Sequence, residues 1–220
     1  MDNLELVKKR HSVRKYKDIP IEEEKVFLLL NEIKKINEES CFNFQLILNE
    51  PEAFNGNAAH YGSFKGCKNY FALVGKAGED EKIGYYGERL VLFSQSIGLN
   101  TCWVALTYKK GKVKVDKDRG EKLYVVISLG YGENRGVRHK GKHASDVSNV
   151  MDESPEWFKR GVESALLSPT AMNQQKFYLE YIEDYKVKAK NYLGFYSRMD
   201  LGIVKYHFEF VNPEIKIEWI

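Results

Sequence analysis

The chain has 220 residues, enough for one large domain or two small, closely packed ones, and too many for a disulfide-stapled miniprotein. Hydrophobic residues make up 43% and charged residues 30%, a balance typical of a globular protein with its own core. The 34 basic and 31 acidic residues leave a net charge of only +3, which argues against binding nucleic acid or an anionic membrane over the whole surface.

The cysteines and the apolar runs bear on the cellular location of the protein. Cys41, Cys67 and Cys102 are far apart and form no C-x-x-C pair, so the sequence predicts neither a disulfide framework nor a zinc site. The first residues carry charges throughout, unlike a signal peptide, and no apolar run approaches the ~20 residues of a membrane span. We therefore expect reduced thiols, no metal, no membrane association and a cytoplasmic location.

Two helices are predicted near the amino terminus. A short helix over 4–10 ends in a basic cluster, and a longer one opens at Pro20 and runs to about Lys35. Acidic residues in its first turn and lysines in its last suit the helix macrodipole. Its apolar residues recur at the spacing of one buried face, which comprises Val26, Leu29, Leu30 and Ile33.

Two strands and a long helix are predicted between residues 42 and 98. Alternation predicts a strand over 42–48, a loop follows over 49–66, and a second strand is predicted over 70–74. A long helix over 80–97 ends at Gly98. Gly84 and Gly87 inside it each cost about 1 kcal/mol relative to alanine, so another part of the chain is expected to approach the helix backbone there.

The rest of the chain repeats this mixture of elements. Strands are predicted at 102–107 and 123–129, a helix at 155–167, a polar turn at 168–175, and further strands at 177–182, 206–211 and 215–219. Helix, Asn-x-Gln and strand thus occur twice, with the amides at Asn43 and Gln45 and again at Asn173 and Gln175. This indicates two related halves, 1–150 and 151–220, in one compact unit.

Three segments could carry chemistry. The first is RHSVR at 10–14, where two guanidiniums, a hydroxyl and an imidazole offer the donors that a phosphate dianion needs; a solvated basic helix end is the alternative. The second is the loop 130–143, in which Gly130 and Gly132 lack the third glycine of a dinucleotide fingerprint. Its two histidines lie among cations, so an anion site is favoured over a metal site, with a flexible basic loop as the alternative.

The third segment is the polar turn Ser168-Pro169-Thr170-Ala171-Met172-Asn173-Gln174-Gln175. Its hydroxyls and amides could bind the polar edge of a flat heterocycle, and a purely structural turn is the alternative.

Taken in order, these segments resemble the FMN-dependent nitroreductase superfamily, in particular its single-chain "TM nitroreductase" branch. RHSVRKY is similar to the family's R-x-S-x-R/K phosphate motif, and SPTAMNQQKF to its P-S-x-x-N-x-Q-P-W turn, except that Lys176 replaces the proline. SIGLNTCW at 96–103 and ISLGYG at 127–132 are similar to two further family elements. The resemblance implies an α+β fold, an α/β/α sandwich around a mainly antiparallel sheet.

The resemblance also implies the site. Because only the first half carries the phosphate motif and only the second carries the complete turn, we expect one FMN site per chain, at the seam of a fused pseudo-dimer. Arg10 and Ser12 would hold the phosphate with His11 beside them, and Arg14 would lie at the pyrimidine edge of the ring. The other implied contacts are Ala105 and Leu106 near the flavin face, Lys140 together with Arg138 or His143 at the phosphate, and Pro169, Thr170, Ala171 and Asn173 along the ring and ribityl chain.

The implied activity is NAD(P)H-dependent reduction of a nitroaromatic, quinone or similar acceptor by ping-pong hydride transfer through flavin N5, with no catalytic side chain. A non-catalytic flavin- or nucleotide-binding sensor or carrier is the alternative, since no substrate residue is identifiable. Nucleic-acid binding through the basic loop is a third reading, disfavoured by the net charge. A monomeric pseudo-dimer with a small-molecule partner is expected, and further self-association is left open.

Overall fold

The computed structural model describes residues 2–55, 64–137 and 139–220. The chain forms two compact units, each built from separated segments. The three-stranded unit comprises Met1–Lys9, Asp80–Glu88 and Arg138–Ile220, and the four-stranded unit comprises Arg10–Glu79 and Arg89–Val137. The division of the sequence into two related halves, 1–150 and 151–220, stays a prediction.

An antiparallel sheet forms the centre of the four-stranded unit, with strand order β1-β2-β4-β3. Its central strands are continuous apolar runs buried on both faces, as a covered sheet requires. The elements are α2 (Glu23–Ser40), β1 (Gln45–Ile47), β2 (Asn69–Lys76), the later part of α3 (Asp80–Ser96), β3 (Asn100–Val104) and β4 (Glu121–Gly130).

The three-stranded unit has its own core. In its sheet β5 pairs antiparallel with β6, and β6 pairs parallel with β7. Phe158, Phe177 and Phe208 are fully buried together, which joins helices α5 and α6 to strand β5. The elements are α1 (Asn3–Lys9), the start of α3, α4 (Ala144–Val147), α5 (Glu156–Leu166), β5 (Phe177–Glu183), β6 (Lys186–Asn191), α6 (Ser197–Phe210) and β7 (Glu218–Trp219).

The predicted α+β class with mainly antiparallel strands is confirmed, and the strands are divided between two sheets. The helices predicted at 4–10, 20–35, 80–97 and 155–167 and the strands predicted at 70–74, 123–129 and 177–182 all occur, with shifts of a few residues at their ends. Within the described part of the chain, no helix combines the length and apolarity needed to cross a membrane.

One predicted strand is wrong. The segment 206–211 belongs to helix α6, not to a strand. Its alternation is real over six residues, but Leu201, Val204 and Phe208 follow the i, i+3, i+7 spacing of a helix and pack into the core. A window that began at residue 197 would have shown the helical period.

Other predicted elements differ in extent. The strands predicted at 42–48 and 215–219 shorten to β1 and β7, the strand predicted at 102–107 is displaced toward the amino terminus as β3, and β6 was not predicted. Leu30, which was assigned to the buried face of α2, is 49% exposed, and Ile36 is buried instead. The apolar residues of α2 are therefore not confined to the face that packs against the core.

Glycine 84 marks a close backbone contact, as the sequence predicted. A Cβ atom at this position would lie 2.0 Å from the carbonyl oxygen of Met199 in α6. At the other end of α3, Gly98 adopts a φ of +82°, a left-handed conformation that suits glycine at the end of a helix.

Candidate functional site

The RHSVR segment forms an extra edge on the four-stranded sheet. After α1 the chain runs extended, and Ser12 pairs with Thr101 in a parallel β-bridge. The Val13 N–H donates to the Thr101 carbonyl oxygen at 3.0 Å. Because Thr101 lies in the edge strand β3, the candidate phosphate motif is fixed by backbone hydrogen bonds.

The loop that follows β4 bonds to the residues directly after the motif and contacts His11 within it. The Lys17 N–H donates to the Tyr131 carbonyl oxygen and the Glu133 N–H donates to the Lys15 carbonyl oxygen, both at 2.8 Å. A Cβ atom at Gly136 would lie 2.5 Å from the Cβ of His11. Gly136, with a φ of +75°, therefore permits the close approach of this loop to the motif.

The side chains of the motif differ in burial, and both of its arginines act on a neighbouring thiol. Arg10 is only 5% exposed, whereas Arg14 is exposed, and His11 and Ser12 are half-buried. Burial raises the pKa of the neighbouring Cys102 thiol, while the charge of Arg14, a hydrogen bond with Ser12 and the charge of Arg10 act in the opposite direction. Both guanidiniums thus act on one thiol, and such a pair with a hydroxyl between them suits an anion.

Ala105 and Leu106 follow strand β3 in the same unit. The strand ends at Val104, so both residues lie in a bend and not in the predicted strand. Leu106 is 76% exposed. This bend places an apolar side chain at the surface. The flavin contacts expected of Ala105 and Leu106 stay a prediction.

In the three-stranded unit, the polar turn 168–175 has an unusual backbone. Met172, Asn173 and Gln175 adopt φ values of 52°, 53° and 44°. The left-handed region is unfavourable for residues with a Cβ, and least so for asparagine. Several hydrogen bonds hold this conformation, including that from the Gln175 N–H to Thr170 Oγ1 at 3.1 Å.

The basic loop 139–143 is bound to this turn. Asn173 Nδ2 donates to the Lys140 carbonyl oxygen at 2.8 Å, and the Lys142 N–H donates to Gln175 Oε1 at 2.7 Å. The structure therefore brings Lys140 together with the turn that contains Pro169, Thr170, Ala171 and Asn173, all named by the sequence. His143 is the N-terminal cap of α4, and Arg138 lies outside the described residues.

Asp200 was not predicted. It is buried in α6, and its carboxylate accepts hydrogen bonds from the Ala171 N–H and from Gln174 Nε2, both at 2.9 Å. Burial raises the pKa of Asp200 to about 6, while these two hydrogen bonds oppose the rise. A single acidic residue in a helical segment carries no sequence signal of such a contact.

The two groups of residues differ in chemistry. The group in the four-stranded unit consists of cations, a hydroxyl and fixed backbone, which suits a phosphate. The group in the three-stranded unit combines the small residues Pro169 and Ala171 with hydroxyl and amide groups, which suits a flat, partly polar ring. Among the described residues, no cluster of three or more His, Cys, Asp or Glu side chains could hold a metal ion.

Comparison with known proteins identifies one family and several solved structures of similar fold. The model of the family described as "Putative TM nitroreductase" matches residues 2–212. No curated protein matches the chain.

Three solved structures share the fold, and each is described, like the family, as a putative enzyme. A Thermotoga maritima nitroreductase has a TM-score of 0.69 at 21% identity, covering 97% of this chain and 85% of that one. A Desulfovibrio desulfuricans nitroreductase solved in complex with FMN has a TM-score of 0.52 at 16% identity, covering 70% and 96%. A Bacteroides thetaiotaomicron NADH dehydrogenase/NAD(P)H nitroreductase has a TM-score of 0.52 at 16% identity, covering 66% and 95%.

Proposed function

Since the chain belongs to the TM nitroreductase family, we propose that it is an FMN-dependent oxidoreductase that uses NAD(P)H to reduce nitroaromatic, quinone or similar acceptors. Family membership supports redox chemistry in general. The fixed RHSVR segment, with buried Arg10 beside Ser12, is the observation that carries the proposal of a phosphate-bearing cofactor.

The residues of the four-stranded unit fit the phosphate and the ring edge of FMN. Arg10 and Ser12 would bind the phosphate, and the position of Ser12 is set by its bridge to Thr101. Exposed Arg14 would stabilise negative charge at the pyrimidine edge. In this unit we also propose contacts from His11 to the phosphate and from Ala105 and Leu106 to the ring.

The residues of the three-stranded unit fit the rest of the cofactor. Pro169, Thr170, Ala171 and Asn173 would line the ring and ribityl chain, and Lys140, held by Asn173, would reach the phosphate. Arg138 is proposed for the same role from the sequence alone. That both groups serve one FMN per chain follows from the sequence resemblance and is part of the proposal.

The proposed reductant and cofactor are supported by two fold neighbours. One is described as an NADH dehydrogenase/NAD(P)H nitroreductase, and another was solved in complex with FMN. FMN, when bound, supplies hydride transfer through N5 of its ring. The residues of this chain would bind and orient the cofactor and supply positive charge, so the proposal needs no general base.

Cytoplasmic location and a monomeric pseudo-dimer complete the proposal. Cys41 is exposed and reduced, and Cys67 and Cys102 are buried and reduced. Burial raises the pKa of both buried thiols, which disfavours the reactive thiolate. Three reduced thiols suit a reducing compartment.

The first test is binding of FMN to the purified protein, followed by the flavin's visible absorbance. We expect one FMN per chain and loss of the oxidised spectrum on mixing with NADH or NADPH. Replacing Arg10 with glutamine should weaken binding about ten- to a hundredfold, because one charge-assisted contact is lost. Arg14→Gln, at an exposed position, provides a second variant if Arg10→Gln fails to fold.

Arg119→Gln is the matched control, because Arg119 is an exposed arginine of the same unit outside the motif. It should leave FMN affinity unchanged. Absence of FMN binding by the folded wild-type protein would refute the cofactor. Tight binding without reduction by either nicotinamide would favour the sensor or carrier reading.

A further inference from the structure

Asp200 connects helix α6 to the polar turn. It is 4% exposed, and the two oxygens of its carboxylate accept from different parts of the turn: Oδ1 from the Ala171 N–H and Oδ2 from Gln174 Nε2. Gln174 Nε2 also donates to the Phe195 carbonyl oxygen at 2.6 Å. We call the two bonds to Asp200 the Asp200 clamp.

The clamp spans the part of the turn that most needs support. Met172 and Asn173, which lie between the two clamped residues, both have left-handed backbones. This conformation is unfavourable for residues with a Cβ, and it persists only where the surroundings impose it. A carboxylate is suited to impose it, because hydrogen bonds to a charged acceptor are stronger than those between neutral groups.

We propose that Asp200 is a positioning residue that holds the turn 170–174 in the conformation that binds FMN, and that protonation of Asp200 releases it. The claim that the turn binds FMN rests on the proposed function; the claim that Asp200 fixes the turn rests on the hydrogen bonds alone. Protonation removes the negative charge and turns one of the two acceptor oxygens into a hydroxyl, which is a poor acceptor, so the bond to that oxygen is weakened.

The pH range follows from the burial of Asp200. Its pKa is raised to about 6, so the clamp is complete at pH 7 and is lost as the pH falls through about 6. The turn 168–175 carries no charged side chain, and the other charged or titratable groups lie next to it, on α6, on the part of α3 in the same unit and on the bound loop. They are Lys176; Arg198, Lys205, Tyr206, His207 and Glu209; Asp80, Glu81, Lys82, Tyr85, Tyr86 and Glu88; and His139, Lys140, Lys142 and His143. An Asp200 variant separates the effect of Asp200 from that of these groups.

Asp200→Asn is the sharpest variant because it keeps the shape and removes the second acceptor. The asparagine amide can accept from Ala171, but its NH₂ group then faces the NH₂ group of Gln174. If Gln174 turned its amide over, it would lose its bond to Phe195. Either way one hydrogen bond fails. Asp184→Asn is the control, since Asp184 is an exposed aspartate of the same unit.

The first measurement needs no flavin. In the amide NMR spectrum of the protein without FMN, the Ala171 N–H should shift with a midpoint near pH 6 in the wild type and in Asp184→Asn. In Asp200→Asn this titration should be absent. An Ala171 amide that does not titrate in the wild type, or that titrates equally in Asp200→Asn, would overturn the clamp.

The second measurement is FMN affinity against pH. At pH 7, Asp200→Asn should weaken binding by about tenfold, the worth of one hydrogen bond to a charged group, and Asp184→Asn should not. Between pH 7 and 5 the wild type should lose affinity more steeply than Asp200→Asn, and riboflavin should show the same difference, which excludes the phosphate of FMN as its source. Equal affinities and pH profiles of wild type and Asp200→Asn would refute the positioning role. If no variant binds FMN while the Ala171 titration is present, the proposed cofactor fails and the clamp stands.

Thermal stability separates positioning from a general structural role. Because the folded-state pKa of Asp200 is raised, its ionisation opposes folding, and its contribution to stability is present at low pH and lost as the pH rises through about 6. At pH 7 the neutral asparagine removes that cost and loses one hydrogen bond, and because the two effects oppose each other the melting temperature of Asp200→Asn should change little. A large fall together with weaker FMN binding would show that Asp200 only supports the fold, and would overturn the proposal.

Discussion

Replacing Glu88 with alanine is expected to lower the free energy of unfolding by about 3–5 kcal/mol, the largest stability effect of any change considered for this chain. Glu88 lies on α3 and His207 on α6, and both side chains are 0% exposed. Glu88 Oε1 lies 2.8 Å from His207 Nε2. Removing the carboxylate leaves a buried ring nitrogen without this partner and creates a cavity, and both effects destabilise the folded state.

The contact of the other ring nitrogen of His207 indicates where the ring carries its hydrogen. Nδ1 lies 3.1 Å from the Ser164 carbonyl oxygen, which can only accept, so Nδ1 carries the hydrogen. A neutral ring could then accept at Nε2 from a glutamine amide. Glu88→Gln therefore distinguishes two cases: it should recover most of the loss if the pair acts as a neutral hydrogen bond, and little of it if the pair is ionic.

Chemical denaturation of the three proteins gives these free energies directly. The control is Glu183→Ala, which removes the partner of Lys186 in a solvent-exposed pair of the same unit. Exposed pairs contribute about 0–1 kcal/mol, so this variant should unfold almost as the wild type does. Similar losses for Glu88→Ala and Glu183→Ala would contradict the special importance of the buried pair.

The periodic elements of the fold could be predicted from the sequence because their signals are local. Helix α2 shows the 3.6-residue spacing of Leu29, Ile33 and Ile36, and β2 is a short apolar run bounded by polar residues. Helix α6 was missed because the spacing of Leu201, Val204 and Phe208 shows its helical period only over a longer window than the one that predicted a strand. Within it the short window 206–211 happens to alternate.

The candidate site was predicted as residue types and not as contacts. The sequence identified RHSVR and the polar turn because both are compact motifs. It could not show that Ser12 pairs with Thr101, or that Asn173 holds Lys140, because these partners are distant in sequence. Asp200 was missed for the same reason: its role depends on the placement of α6 beside the turn.

The sequence predicted a close contact at one glycine of the α3–α6 contact, but not the partner of that glycine. Gly84 was expected to lie against another backbone, but its partner could not be named. In the structure a Cβ at Gly202 would lie 1.8 Å from the Glu81 carbonyl oxygen and 2.7 Å from the Tyr85 nitrogen. The two helices therefore meet backbone to backbone, each through a glycine.

Replacing Gly202 with alanine should consequently destabilise the protein by at least about 2 kcal/mol, measured by denaturant unfolding. The neighbouring atoms belong to the backbone, so they cannot move aside as a flexible side chain would. Helix propensity predicts the opposite sign, since alanine is favoured over glycine by about 1 kcal/mol inside a helix. A destabilised variant thus reports the contact and not an intrinsic preference.

Gly111→Ala is the control, because a Cβ at Gly111 meets no atom within 4 Å, and it should be neutral or slightly stabilising. Gly84→Ala should also destabilise, since its Cβ would lie 2.0 Å from the Met199 carbonyl oxygen. The double variant Gly84→Ala/Gly202→Ala should lose less than the sum of the single losses, because the first alanine already separates the helices that the second would push apart. Strictly additive losses would mean that the two glycines act at independent contacts, and a stable Gly202→Ala protein would mean that α3 and α6 do not touch there.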